Sequence, residues 1–186
     1  MPGHELKQFY ARNRKSWRSW LEKNHDKELG VWLIYYKKDS GKSRVSYDDA
    51  VEEALCFGWI DSIMHPIDEQ KYKQKFTPRK TKSVWSALNK KRVEKLLEQK
   101  LMTPAGLKII ETGKQNGSWT KIDHIENFEI PADLKKVFSK NKSLHKYYSQ
   151  LGKFRQKQWL YRLGSAKLPE TRAKRIGEMI KASKSS

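Results

Sequence analysis

The sequence predicts an α+β protein, with a small, mostly antiparallel sheet covered by helices and a helical module following it. Three observations carry this expectation. Residues 31–37, 59–62 and 71–77 are short segments bearing β-branched and aromatic side chains, set off by turn-forming residues as strands are. Between and after them, apolar residues recur at the three- and four-residue spacing of helices that bury one stripe. Beyond Pro131 only the helical pattern returns, so the chain divides into an α+β part over 1–127 and a basic helical part over 128–186.

Taken in order, Leu6, Phe9, Tyr10, Trp17, Trp20 and Leu21 follow a helical period, which predicts an amphipathic first helix over about 5–23. Such a basic, tryptophan-bearing face serves either core packing or attachment to a membrane surface. The stretch 29–37, LGVWLIYYK, reads as a central strand. Ser46 then offers a helix cap, Asp49 follows three residues on, and Asp48 adds charge that suits a helix N-terminus. Ala50, Val51, Ala54, Leu55 and Phe57 form the buried stripe of this helix, with Glu52 and Glu53 expected on its solvent side. Gly58 ends it, because glycine enters the left-handed region without steric cost. The segment WIDS at 59–62 is expected to be a brief strand delivering Asp61 and Ser62 beside a tryptophan, with a loop through Pro66.

Over 71–77, Tyr72, Gln74 and Phe76 alternate with Lys71, Lys73 and Lys75. The lysine row fits either a binding face or the protection of a sheet edge from pairing with other chains. Ser83 is the expected cap of a helix reaching about Gln99, and Thr103 with Pro104 starts another that Asn116 and Gly117 stop. Asp123, His124 and Asn127 lie in a stretch without sustained periodicity. Short helices are expected after it at 132–138, 143–150, 153–163 and 169–182.

Forty Lys and Arg oppose 21 Asp and Glu, a formal net charge of +19, while seven Trp, eight Tyr and six Phe supply large side chains for a core. This is a folded basic protein, not a disordered chain. The excess is uneven: residues 1–127 hold 25 basic and 17 acidic side chains, net +8, and residues 128–186 hold 15 and 4, net +11. Charge of this sign attracts nucleic acid, anionic membrane surfaces and acidic proteins. The single Cys56 excludes an internal disulfide and a cysteine-rich metal site, and makes the cytoplasm the expected compartment. No secretory signal is expected, because Lys7, Arg12, Arg14, Lys15 and Arg18 interrupt the first twenty residues; the apolar run 31–36 is far below the roughly 20 residues of a membrane span.

Six segments in order carry a resemblance: ALCFGWIDS (54–62), FTPRK (76–80), SVWSALN (83–89), MTPAG (102–106), IPADL (130–134) and SAKLPETRAKRI (165–176). Together they resemble the YdeI or OmpD-associated (OmdA) family, labelled bacteriocin-protection proteins, over most of the chain from Trp17 to Ile180. Lys75 stands where the family pattern has arginine, and a glycine expected near Lys100 is absent. The resemblance implies protection against bacteriocins or cationic antimicrobial peptides and a link to an outer-membrane porin. It brings no catalytic residues with it.

The residues themselves point away from an enzyme. His4, His25, His65, His124 and His145 include no pair at the i, i+4 spacing of a helical metal site, and no glycine-rich phosphate loop is present, so no metal and no cofactor are expected. Ser62 and His65 lack a nucleophile-elbow context. Cys56 sits among apolar residues as a packed thiol. The candidate site is an anion pocket: Arg79 and Lys80 precede the helix start at Ser83, where free N–H groups attract negative charge, with Trp85 and Asn89 further along and Asp61 available to orient Arg79. A buried Asp61–Arg79 ion pair in a core with Trp59 and Trp85 is the structural alternative. A second candidate is a polyanion-binding surface of Lys153, Arg155, Lys157, Arg162, Arg172, Lys174 and Arg175 with interleaved Phe154, Trp159 and Tyr161, which fits a phosphate backbone or a plain solvated face. The expected function is a non-enzymatic stress or bacteriocin-protection protein that binds an anionic or protein partner, with nucleic-acid binding as the alternative.

Overall fold

The structure, a computed structural model, describes residues 5–184 and divides into two compact units, one ending at Lys121 and the other beginning at Ile122. His4, one of the scattered histidines, lies outside the described residues.

The first unit holds strands β1 (Gln8–Tyr10), β2 (Val31–Tyr36), β3 (Trp59–Pro66) and β4 (Lys71–Pro78), in the sheet order β1-β2-β4-β3. β1 runs parallel to β2, while β2 with β4 and β3 with β4 are antiparallel, so the sheet is mixed and the α+β class stands. One face, with Val31, Leu33, Tyr35 and Phe76 at 0% exposure, is packed against helices α1 (Arg14–Asn24) and α2 (Tyr47–Cys56): Trp17 meets Phe76 edge-on at 5.3 Å, and its Nε1 donates to the Ala50 carbonyl at 3.0 Å. Leu21, Val51, Ala54, Leu55, Cys56 and Trp59 complete this core. Helices α3 (Ala87–Glu98) and α4 (Pro104–Gln115) pack on α2.

Ser46 caps α2 as its sequence suggests, accepting from Asp49 N at 3.0 Å and donating to Asp49 Oδ2 at 2.7 Å, and Gly58 follows at φ +73°. Thr103 caps α4 and reaches back to the Cys56 carbonyl through both its N–H (3.1 Å) and its Oγ1 (2.6 Å). Gly106 makes that approach possible, since a Cβ there would stand 2.3 Å from the Cys56 carbonyl oxygen.

Four expectations are corrected. The predicted helix over 5–23 is β1 followed by α1: Asn13 accepts from Ser16 N at 2.9 Å while Ser16 Oγ accepts from Asn13 N at 3.2 Å, a capping box that starts the helix later. Phe9 still reaches Trp20 at 5.6 Å, so the apolar period reported shared burial, not one continuous helix. β3 extends to Pro66 through an irregularity between Asp61 and Met64, turning the predicted loop into a hairpin arm. The cap of α3 is Ser86, not Ser83, because 83–86 is held outside the helix beneath the Arg79 guanidinium. Glu52 and Glu53 are 6% and 2% exposed instead of facing solvent.

The second unit contains α5 (Asp123–Glu126), α6 (Ala132–Lys140), α7 (Lys142–Gln150), α8 (Lys153–Gly164) and α9 (Pro169–Lys184). Ile122, Ile125, Leu134, Phe138, Leu144, Tyr148, Leu160, Leu163 and Met179 are buried in it, those from Leu134 on at the helical spacing the sequence carries. Among the described residues no helix is long and apolar enough to cross a membrane.

Candidate functional site

The residues expected between Asp61 and Asn89 separate into distinct contacts. Arg79 is 5% exposed and lies 3.7 Å over the Trp85 ring, with Nη2 donating to the Val84 carbonyl and Nε buried without an acceptor. Burial pulls Arg79 down to about 10, against the opposing field of Asp61, so it is still a cation at neutral pH. Asp61 accepts from Tyr47 Oη at 2.8 Å and from Gln74 Nε2 at 3.3 Å, both on Oδ2, and it acts on Arg79 through its field. Burial, then the bond to Asp61, push Tyr47 up to about 12, so it donates and does not act as a base near neutrality. Asn89 lies in the first turn of α3 and accepts from Arg92 Nη1 at 3.0 Å, and Arg92 also pairs with Asp48. Lys80 is exposed, and Ser83 is partly exposed in a non-helical segment that offers no helix N-terminus. The structure therefore joins Arg79 with Trp85, places Asp61 with Tyr47 and Gln74, and gives Asn89 to Arg92.

The larger electrostatic construction was not legible beforehand. Arg14 reaches from α1 to three carboxylates of α2: Asp49 (2.9 Å), Glu52 (2.9 Å) and Glu53 (2.5 Å). Arg18 adds a bond to Glu53 at 2.8 Å, and Lys95 of α3 one to Glu52 at 2.8 Å. Burial works against the charge on Arg14 and Arg18, but the hydrogen bonds and charge of Glu53 outweigh it and both are raised. The signal lay in the adjacent Glu52–Glu53 pair flanked by apolar residues on both sides, opposite a first helix with arginines four residues apart. Beside this network, burial raises Cys56 to about 11, which keeps its thiol protonated and unreactive.

In the second unit the predicted cationic residues divide in two. Lys157 pairs with Glu126 at 2.6 Å, Arg162 with Glu178 at 2.5 Å, Arg172 forks onto Asp133, and Arg175 donates to the Arg162 carbonyl and Ser165 Oγ. Lys153, Arg155 and Lys174 are exposed. A shallow hollow of about 720 Å³ runs along α8, lined by Tyr147, Phe154, Arg155, Trp159, Tyr161 and Arg162 among others, with Phe154 74% exposed. Among the described residues, no group of three or more His, Cys, Asp or Glu side chains is arranged to hold a metal.

A mixed-sheet α+β unit and a basic helical unit, with their conspicuous sites built from cations and aromatic rings, define the class of protein. The chain belongs to the family described as Domain of unknown function (DUF8412), whose model matches residues 9–109, more than half of its length. Residues 127–185 match the model of the family described as Bacteriocin-protection, YdeI or OmpD-Associated, which supports that resemblance over the C-terminal part. IPADL and SAKLPETRAKRI fall inside this second match; the other four resembling segments fall inside the first. No curated protein and no solved structure matches the chain.

Proposed function

We propose that this chain is a non-enzymatic polyanion-binding protein of the cytoplasm, and that its family-level link to bacteriocin protection operates through an anionic partner. A net charge of +19 repels cationic peptides, so direct capture of such a peptide runs against the electrostatics, whereas an anionic partner is drawn in from a distance. The observation that carries the reading is the α8 hollow, where Phe154 and Tyr161 stand exposed beside Arg155. Large aromatic side chains next to unpaired cations supply contact area and charge together. The paired arginines, Arg172 above all, are fold elements, and the contact is assigned to Lys153, Arg155 and Lys174.

The test is calorimetric titration of the full chain with heparin, a polyanion without bases. Wild type is expected to bind, and the double variant Phe154→Ser, Arg155→Ser to bind at least fivefold more weakly with unchanged unfolding. Equal binding by the two proteins would remove the α8 surface from the account. Anion binding at Arg79 is a second reading, favoured by the unpartnered Nε of that buried guanidinium.

A further inference from the structure

The lysine row of β4 takes on a different meaning once the sheet order is known. β4 lies between β2 and β3, so Lys71, Lys73 and Lys75 do not guard an edge. Register places Gln8, Trp32 and Lys75 on one line across the sheet, Tyr10, Ile34, Lys73 and His65 on the next, and Tyr36 with Lys71 on a third. These side chains share the face opposite to the one that α1 packs against through Trp17 and Phe76. Trp32, Tyr36 and the three lysines are each partly exposed there. Each large ring has its own cation: Lys73 Nζ lies 4.7 Å from the Trp32 centroid and Lys71 Nζ 6.0 Å from that of Tyr36. His65 meets Trp32 edge-on at 5.1 Å, and Tyr10 meets Tyr36 edge-on at 5.1 Å. None of these facing residues is acidic, although Lys71 also lies 3.4 Å from the Asp68 carboxylate in the turn before β4, which leaves Lys73 and Lys75 as the row's cations without an ion pair among the described residues.

We propose that this open face of the sheet binds single-stranded nucleic acid, with Trp32 and Tyr36 as stacking surfaces for unpaired bases and Lys71, Lys73 and Lys75 along the phosphates. Bases present a flat π-face that stacks on an aromatic ring whatever their sequence, and a basic groove tracks the backbone. Lysines on alternate positions of one strand are spaced about 6.6 Å apart, a ladder of cations beside the rings and parallel to them. A duplex hides its base faces within its own stack and has nothing to offer Trp32. The proposal goes beyond the polyanion reading of α8, since it needs bases as well as charge and uses different residues.

Fluorescence anisotropy of a labelled 12-nucleotide oligo-dT with the full chain tests it. Wild type is expected to prefer this strand to a duplex of equal length. Trp32→Leu should weaken oligo-dT binding about 5- to 100-fold, the loss of one stacked base, and leave heparin binding unchanged. Trp32→Phe should restore most of the loss. Lys73→Gln, which leaves the ring in place, should reduce the slope of log K against log salt by about 0.7. If Trp32→Leu is poorly folded by its urea transition, Lys73→Gln and Tyr36→Leu carry the test. Equal affinity for duplex and single strand, or an oligo-dT affinity indifferent to Trp32→Leu, Tyr36→Leu and Lys73→Gln, would overturn the proposal while heparin binding still judged the α8 surface. Binding of phosphatidylserine vesicles that depends on Trp32, with oligo-dT binding that does not, would overturn it in favour of a membrane.

Discussion

Replacing Arg14 by alanine tests the electrostatic join between α1 and α2. The substitution removes one guanidinium from Asp49, Glu52 and Glu53 together, and leaves Glu53, 2% exposed, with Arg18 alone and Glu52, 6% exposed, with Lys95 alone. Breaking a buried ion pair by removing one partner costs about 3–5 kcal/mol. Arg14 is itself 32% exposed and each glutamate keeps a cation, which puts the expected loss below that range, at about 2–3 kcal/mol. At roughly 3–5 °C per kcal/mol for a unit of this size, the melting temperature should fall by about 6–15 °C. Six of the seven tryptophans lie at or before Trp119, so urea unfolding followed by intrinsic fluorescence reports chiefly on the first unit. The double variant Arg14→Met, Glu53→Leu should recover only part of the loss, because it removes the desolvation cost of Glu53 while Glu52 still lacks Arg14 and Arg18 loses its Glu53 partner. A loss below about 0.5 kcal/mol for Arg14→Ala would refute the reasoning, since it would mean the network is screened as surface pairs are.

Other perturbations read other parts of the molecule. Gly106→Ala forces a methyl into the Cys56 carbonyl and should destabilise by about 1–3 kcal/mol in the same urea assay; a neutral result would contradict the close packing of α4 on the end of α2. Arg79→Lys keeps the charge but loses the flat stack on Trp85 and the planar donor to Val84, and should cost about 1–2 kcal/mol, visible as a lower urea midpoint. The hydrogen bond from Arg172 holds the Asp133 carboxyl below the usual carboxylate range. A depressed folded-state value contributes stability above the unfolded pKa of about 3.9 and loses it as pH falls through the folded one, so α6–α9 should weaken on acidification below about pH 4. Asp133→Asn should flatten that part of a circular-dichroism pH titration, and an unchanged profile would show the pair contributes nothing.

Local rules read the chain well wherever neighbours decide. Ser46, Gly58, Thr103 and Pro104 sit at the helix ends they announce, and the alternation over 71–77 marks β4 with its two faces. Readings failed where a distant partner decided. Glu52 and Glu53 look solvent-facing on a helical wheel because charge is usually exposed, and only Arg14, Arg18 and Lys95 from other helices make their burial affordable. Ser83 and Ser86 are equally good caps by composition; the contacts of Arg79 with Val84 and Trp85 keep 83–86 out of the helix. β1 is three residues long and pairs with a strand more than twenty residues away, a contact no local period contains. The Asp61 corner was legible as a place but not as a set of bonds, since Arg79 donates to the Val84 carbonyl while Asp61 accepts from Tyr47 and Gln74. The position of β4 inside the sheet follows from the crossover alone, and it changes what the lysines on it are for.

The measurement that bears most directly on the account is the affinity of the full chain for heparin across a salt series. Exposed, uncompensated cations predict a linear fall of log K with log salt, about tenfold or more between about 50 and 200 mM. Binding that does not change over that range, or no binding at the lowest salt, would contradict the claim that this protein works by holding a polyanion.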